Sequence, residues 1–126
     1  MMNLREIDRL VATKVMGWKI YADSAGYKFW SINEDDISRI ICSVTSFEPT
    51  KDIADAWQVV EKLRERKIFS LYDAWDEDDN KIFCAVFEYN DTYHVVEYKE
   101  YAETAPLAIC LAALKSVGVE VEVIEQ

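Results

Sequence analysis

The chain has 126 residues, of which 51% are apolar, 30% charged and 13% aromatic, with only three Gly and two Pro. This composition excludes a disordered, collagen-like or low-complexity protein and predicts one folded domain over residues 1–126. The 24 Asp and Glu against 14 Lys and Arg give a formal charge of −10. This excess of acid argues against nucleic acid as a partner, because binding to a phosphate backbone depends on cationic side chains.

The cysteines and the lack of long apolar runs bear on the compartment. Cys42, Cys84 and Cys110 are odd in number and lie in apolar segments, which indicates free, buried thiols and not a disulfide framework. No apolar run reaches the ~18 residues of a membrane span, and charges recur from Arg5 to Lys14. We therefore expect a cytoplasmic protein with no membrane partner.

The first third of the chain predicts a helix followed by a hairpin. Apolar residues recur every three or four positions from Asn3 to Met16, which predicts a helix ending at Gly17. The aromatic-rich runs 18–22 and 27–32 then predict a β-hairpin. Neither the helical nor the strand periodicity of apolar residues dominates from Asn33 to Pro49, where we expect a turn and a short strand. The stripe of the first helix is Leu4, Ile7, Leu10, Val11 and Val15.

A second helix is predicted to begin at Thr50, which follows Pro49 and has the side chain of a helix cap. Basic residues crowd its last turn, where they complement the helix dipole. Trp57 stands in the middle of its apolar stripe, so we expect a buried ring whose replacement by Ala costs ~3–5 kcal/mol. The stripe consists of Ile53, Ala56, Trp57, Val60 and Leu63.

Three β-branched and aromatic runs, Ile68–Ala74, Ile82–Tyr89 and Thr92–Tyr98, predict an antiparallel meander. The middle run is apolar at nearly every position, which favours a central strand covered by helices on both faces. A third helix is predicted between Thr104 and Gly118. Its stripe is Leu107, Cys110, Leu111, Leu114 and Val117.

The tail Val119–Ile124 alternates apolar and acidic residues, as an edge strand does. Such an edge can pair with its own copy across a two-fold axis, so a homodimer is an expectation here.

No grouping of residues predicts a reaction or a metal. His94 is the single histidine, and it lacks the paired ligand spacing of a zinc site. The turn 76–80 begins like a calcium loop, but Lys81 and Phe87 stand where Gly and Glu are required. Cys84 does not meet His94 if a turn of two or three residues joins their strands. Three scattered glycines form no phosphate-binding loop. We therefore predict no catalytic residue, no metal and no cofactor, and expect a protein that is not an enzyme.

Aromatic residues crowd the N-terminal hairpin, and two interpretations remain open for them. Strand alternation turns every second ring toward a core, but a two-stranded ribbon cannot bury all of them. The others would form a recognition surface, in which Trp and Tyr are enriched. The candidate partner-binding residues are Trp18, Tyr21, Tyr27 and Trp30.

Five stretches in three regions of the chain together resemble the phage ABA-sandwich domain family, small proteins of phages and prophages of Gram-positive bacteria. They are NLREID and VMGW (3–8 and 15–18), PTKDIADAW and VVEKL (49–57 and 59–63), and ETAPLAICLAAL (103–114). The resemblance implies an α+β fold, a three-layer α-β-α sandwich with a mainly antiparallel sheet. It implies no activity and no site residues, and residues 33–47 look like an inserted acidic loop.

These observations favour a non-enzymatic phage accessory protein that binds a host protein in the host cytoplasm. An alternative is a binding protein for a small molecule, such as a nucleotide signal, acting in evasion of host defence. That alternative requires cations beside an aromatic pocket, and the candidates are Arg5, Arg9, Lys14, Lys19 and Lys28. A nucleic-acid mimic ranks last, because the carboxylates of the meander are clumped and form no regular stripe.

Overall fold

The computed structural model describes residues 2–35 and 37–122 of the chain. The helices are α1 (Leu4–Leu10), α2 (Ile53–Leu63) and α3 (Ala105–Ser116), and α1 continues into a π-helical turn, Val11–Val15. The strands are β1 (Lys19–Ala22), β2 (Lys28–Ser31), β3 (Ile40–Ser43), β4 (Ile68–Trp75), β5 (Lys81–Asn90) and β6 (Val95–Ala102). Short 3-10 turns span Ile37–Arg39 and Val44–Ser46.

The strands form two antiparallel sheets, β1-β2-β3 and β4-β5-β6. The short strand expected within 33–49 is β3, which makes the predicted hairpin into a three-stranded sheet. In the second sheet Tyr72 pairs with Cys84, and Cys84 pairs with Tyr101. The α+β sandwich with antiparallel sheets predicted from the sequence is confirmed.

Helix α3 lies at the centre of the core. It packs on β5 and β6 and also contacts α2 and the π-helical turn. The predicted stripe is too narrow, because six successive or near-successive positions of α3 are fully buried: Ala108, Ile109, Cys110, Ala112, Ala113 and Leu114. A helix that is apolar on all sides is expected at such a central position. The same core includes Trp30 of β2, so both sheets border the helices.

Helix α2 corrects the prediction at its start and at its buried face. Asp52, not Thr50, is the cap, and its carboxylate accepts the N–H groups of Ala54 and Asp55. Trp57 is 46% exposed, so the expectation of a buried ring is wrong. Its ring lies edge-on to Phe69, with the centroids 6.1 Å apart. The buried positions are Ala56, Val59, Val60 and Leu63. The helix is therefore rotated about its axis so that Ile53 and Trp57 lie outside the buried face.

Strand β5 is buried on both faces, but different parts of the structure pack against the two faces. Ala85 and Phe87 face the helices and belong to the core. Cys84 and Val86 are also buried, yet they point to the opposite face and lie outside that core. Tyr72 and Tyr101 flank Cys84 on the two neighbouring strands. Within the described part of the chain, neighbouring side chains of the sheet thus take the place of the second helical layer that we expected.

The C-terminal tail does not form the expected edge strand over the residues that can be compared. Val119–Glu122 has no strand assignment, although the carbonyl of Glu122 accepts the N–H of Met2 at 2.8 Å. Positions 123 and 124 of the predicted strand lie outside the described residues.

Candidate functional site

The aromatic residues of the first sheet do not form one surface. Trp30 is 1% exposed and belongs to the hydrophobic core, so its assignment to a partner-binding surface is corrected. Its strand is the middle one of three, pairing with both β1 and β3, and a middle strand can bury a large ring completely. Trp18 packs against Phe47 with ring centroids 4.7 Å apart, at the margin of the same core.

The two tyrosines of the hairpin differ from these tryptophans. Tyr21 is half-buried, and Tyr27 is 69% exposed. Tyr27 follows a turn in which the carboxylate of Asp23 accepts the N–H groups of Ala25 and Tyr27. Of the four candidates, Tyr27 alone therefore presents a largely free ring, and a binding role for it stays a prediction.

A second candidate surface, with two tyrosines, lies on the side of β4-β5-β6 that faces away from α3. We call it the outer face. Tyr72 and Tyr101 are 43% and 50% exposed on either side of the buried Cys84. Sequence reasoning missed this surface. By strand alternation, its residues are Ile68, Ser70, Tyr72, Ala74, Ile82, Cys84, Val86, Glu88, Asn90, Val95, Glu97, Lys99 and Tyr101.

The hydroxyl of Tyr72 lies close to the side chains of Cys84 and Lys99 on the outer face. The nearby Cys84 thiol and, after it, desolvation raise the pKa of Tyr72, despite the opposing influence of Lys99. The nearby Tyr72 hydroxyl likewise raises the pKa of Lys99. Tyr72 is therefore neutral and Lys99 charged at neutral pH.

Two carboxylates meet at one end of the outer face. Glu88 and Glu97 pair directly across β5 and β6. Glu88 accepts a hydrogen bond from the side chain of Asn90 at 3.3 Å, and no cation of residues 2–35 and 37–122 forms a salt bridge with either glutamate. Like charges directly opposite each other destabilise a sheet, so this pair favours contact with a cation.

A small cleft lies between α1 and the segment that leads into α2. It has a volume of about 80 Å³, and Trp30 and Val44 contribute its apolar lining. Three cations, Arg5, Arg9 and Lys51, surround it, and none of them forms a salt bridge with a described residue. Arg5 and Arg9 share a helix face because they are four residues apart. The other lining residues are Asp8, Thr45 and Glu48.

Asp8 fixes one wall of the cleft. Its carboxylate is almost fully buried and accepts the N–H of Thr50 at 2.9 Å, which joins α1 to the start of α2. Burial raises the pKa of Asp8 and outweighs the opposing influence of that hydrogen bond. The Thr50 hydroxyl is close enough to lower the same pKa, but it lies outside hydrogen-bonding geometry.

The candidate Cys–His pair is not formed. Asn90 pairs with Val95, so a loop of residues 91–94 joins the strands, and neither turn length considered from the sequence is correct. His94 lies in that exposed loop, 3.4 Å from the carboxylate of Asp91, whereas Cys84 is buried in the middle of β5. Among residues 2–35 and 37–122, no three His, Cys, Asp or Glu side chains are grouped to hold a metal ion.

No helix within the described ranges is long and apolar enough to cross a lipid bilayer. No curated protein matches the chain significantly. The family model of the phage ABA sandwich domain matches residues 9–114, which include all six strands, α2, most of α3 and the end of α1. The chain therefore belongs to the phage ABA sandwich domain family.

Proposed function

We propose that this protein is a non-enzymatic phage accessory protein that binds a host protein through the outer face, in the cytoplasm of the host. Membership of the phage family supports the phage origin. The observation that carries the proposal is the row Tyr72–Cys84–Tyr101, in which two half-exposed rings flank a buried thiol at the centre of a sheet.

The two rings have the properties of interface anchors. Tyrosine is enriched at binding hot spots because it offers a large apolar area together with a polar tip. The backbones of Tyr72 and Tyr101 are fixed, because β4 and β6 both pair with the central strand β5. Little backbone freedom is therefore left to lose on binding, which favours affinity.

Charge indicates the kind of partner. The segment Ile68–Tyr101 contains nine acidic and two basic residues, and the opposed Glu88 and Glu97 lie on the outer face itself. A partner with an apolar patch bordered by Lys or Arg would cover the rings and neutralise the glutamates. We therefore infer a host protein with a basic binding surface.

The test is capture from host lysate with immobilised wild-type and variant proteins. We expect Tyr101→Ser to lose one host protein that the wild type retains. Tyr27→Ser is the matched control, because it removes an exposed ring from the other sheet. Circular dichroism of each variant checks that it is folded. Retention of the same host protein by Tyr101→Ser, or its equal loss with Tyr27→Ser, contradicts the proposal.

The cleft between α1 and the segment before α2 favours a second candidate, binding of a small anion. Arg5 and Arg9 lie beside Trp30 there, as the small-molecule alternative requires, whereas Lys14, Lys19 and Lys28 do not line the cleft. A volume of about 80 Å³ fits one phosphate or carboxylate group. It is well below the ~300 Å³ of the smallest usual ligand pockets, so a nucleotide would leave its base outside.

Thermal unfolding with added ligand tests this candidate. An anion at a hundred times its dissociation constant adds about 2.7 kcal/mol of stability. We expect inorganic phosphate to raise the melting temperature of the wild type and not of Arg5→Gln/Arg9→Gln. Lys14→Gln/Lys19→Gln is the control with the same change in charge. An equal response of all three proteins to phosphate, or no response in any of them, rejects the cleft as an anion site.

A further inference from the structure

Strand β4 is an edge strand without the usual protection against pairing. Among residues 2–35 and 37–122 it pairs with β5 alone, residue by residue from Ile68 to Trp75, and its register has no bulge. Edge strands are normally guarded by charged residues, proline or bulges. The eight residues of β4 include no proline and a single charge, Asp73, which is turned to Lys81 of β5 at 3.4 Å. The other edge, β6, has two glutamates and a lysine.

β4 has exposed apolar side chains on both faces, a pattern typical of a strand that lies between two neighbouring strands. Ile68 and Tyr72 are exposed on the outer face, and Leu71 and Trp75 are exposed on the face toward the helices. Trp75 is 67% exposed, although it is the largest side chain of the strand. A second strand beside β4 would cover apolar groups on both faces at once.

The two ends of β4 have opposite charges. Arg66 and Lys67 precede the strand, and Glu77 and Asp78 follow it in the turn to β5. None of these four forms a salt bridge with a described residue. Asp76 is different, because its carboxylate accepts the N–H groups of Asp78 and Asn80 and so closes the turn.

We propose that β4 pairs antiparallel with β4 of a second copy of this chain around a two-fold axis. Pairing centred on Tyr72, which sets Arg66 opposite Asp78 and Lys67 opposite Glu77, would join the two three-stranded sheets into one sheet of six strands. The antiparallel direction brings the basic start of each strand beside the acidic turn of the other copy. Because the contact is two-fold, every such charge pair occurs twice.

A dimer was also expected from the sequence, but this pairing uses a different edge strand. The tail 119–124 was the expected edge, but Val119–Glu122 forms no strand. An axis perpendicular to the sheet keeps the outer faces of both copies on the same side. The dimer therefore covers the outer face only along β4, at Ile68 and Tyr72, and leaves Tyr101 on β6 open to the proposed host protein.

Sedimentation velocity of the full chain over a range of concentrations tests the dimer. We expect the wild type to dimerise, and Arg66→Glu/Lys67→Glu to raise the dissociation constant by about tenfold or more, since each reversal replaces attraction by repulsion at two symmetric places. Glu77→Lys/Asp78→Lys should have a similar effect. An equimolar mixture of the two variants should form a heterodimer, because their reversed ends are again complementary.

Lys14→Glu/Lys19→Glu is the control, because it makes the same change in net charge at residues away from β4. We expect it to dimerise like the wild type. The recovered heterodimer also shows that both variants fold. A wild type that is monomeric at every concentration overturns the proposal, as does equal weakening by the control or a mixture that stays monomeric.

Discussion

Glu88 lies directly opposite Glu97 where β5 pairs with β6, and both carboxylates are on the outer face. Such a pair costs roughly 0.2–1 kcal/mol in a sheet. We expect Glu97→Gln to raise the free energy of unfolding by about that amount at low ionic strength. The gain should shrink as added salt screens the repulsion in the wild type. Urea denaturation at low and high salt measures both effects.

Glu100→Gln is the matched control on the same strand. Glu100 forms a salt bridge of 3.4 Å with Lys115 of α3, so its neutralisation should lower stability slightly. Opposite signs for the two variants are the expected result. A loss of stability in Glu97→Gln as large as that in Glu100→Gln would show that the opposed glutamates do not repel each other.

The tryptophans of β2 and α2 should differ strongly in their contribution to stability. Trp30→Ala leaves a large cavity in the core and should cost ~3–5 kcal/mol. Trp57→Ala should cost only about 1–2 kcal/mol, because its ring is half exposed and covers Phe69 from one side. Urea denaturation of both variants provides the comparison, and equal costs would contradict the orientation of α2.

Asp8 should give the stability of the protein a characteristic pH dependence. Burial raises the pKa of Asp8 above its ordinary value of 3.8, so the folded state holds the proton more strongly than the unfolded chain. The stability that protonation contributes is complete below pH 3.8 and is lost as the pH rises through the folded pKa.

Asp8→Asn removes this titration but keeps an oxygen for the N–H of Thr50. We expect the stability of the wild type relative to Asp8→Asn to fall as the pH rises above 3.8 and then to level off. Denaturation of both proteins across the acidic range measures the difference. A relative stability that rises with pH would mean that hydrogen bonding, and not burial, dominates at Asp8.

The start of α2 provides a test of the helix cap. Asp52→Ala should cost ~1 kcal/mol, because the carboxylate accepts two N–H groups of the first turn. Thr50→Val should change stability by less than about 0.5 kcal/mol, because the buried hydroxyl that it removes has no hydrogen-bond partner among the described residues. If Thr50→Val proves the more costly change in thermal or urea unfolding, the cap is Thr50, as predicted from the sequence.

Local signals in the sequence were sufficient for most of the elements. Gly17 and Gly118 have φ angles of 74° and 86° at the ends of the first and third helical segments, where a left-handed residue was expected. The periodicity of the sequence located helix α2 along the chain, but it did not specify which side of the helix faces the core. A large side chain such as Trp57 can lie at the margin of a buried stripe, and the sequence does not specify its neighbours.

The candidate surfaces depend on contacts that local patterns do not contain. β4 and β6 have apolar residues on both faces, so alternation alone does not distinguish the outer face from the face toward α3. The row Tyr72–Cys84–Tyr101 requires the register, which depends on the loop 91–94. The spacing of Arg5 and Arg9 was readable as one helix face, but Lys51 joins them only through the tertiary fold.

Calorimetric titration with the purified host protein, once captured, tests the role of the outer face most directly. Hot-spot residues of this kind contribute 2 kcal/mol or more. We predict that Tyr101→Ser weakens the affinity by about thirtyfold or more, while Tyr27→Ser binds like the wild type. Unchanged affinity in Tyr101→Ser, with the variant folded and β4-β5-β6 intact, would contradict binding through this face.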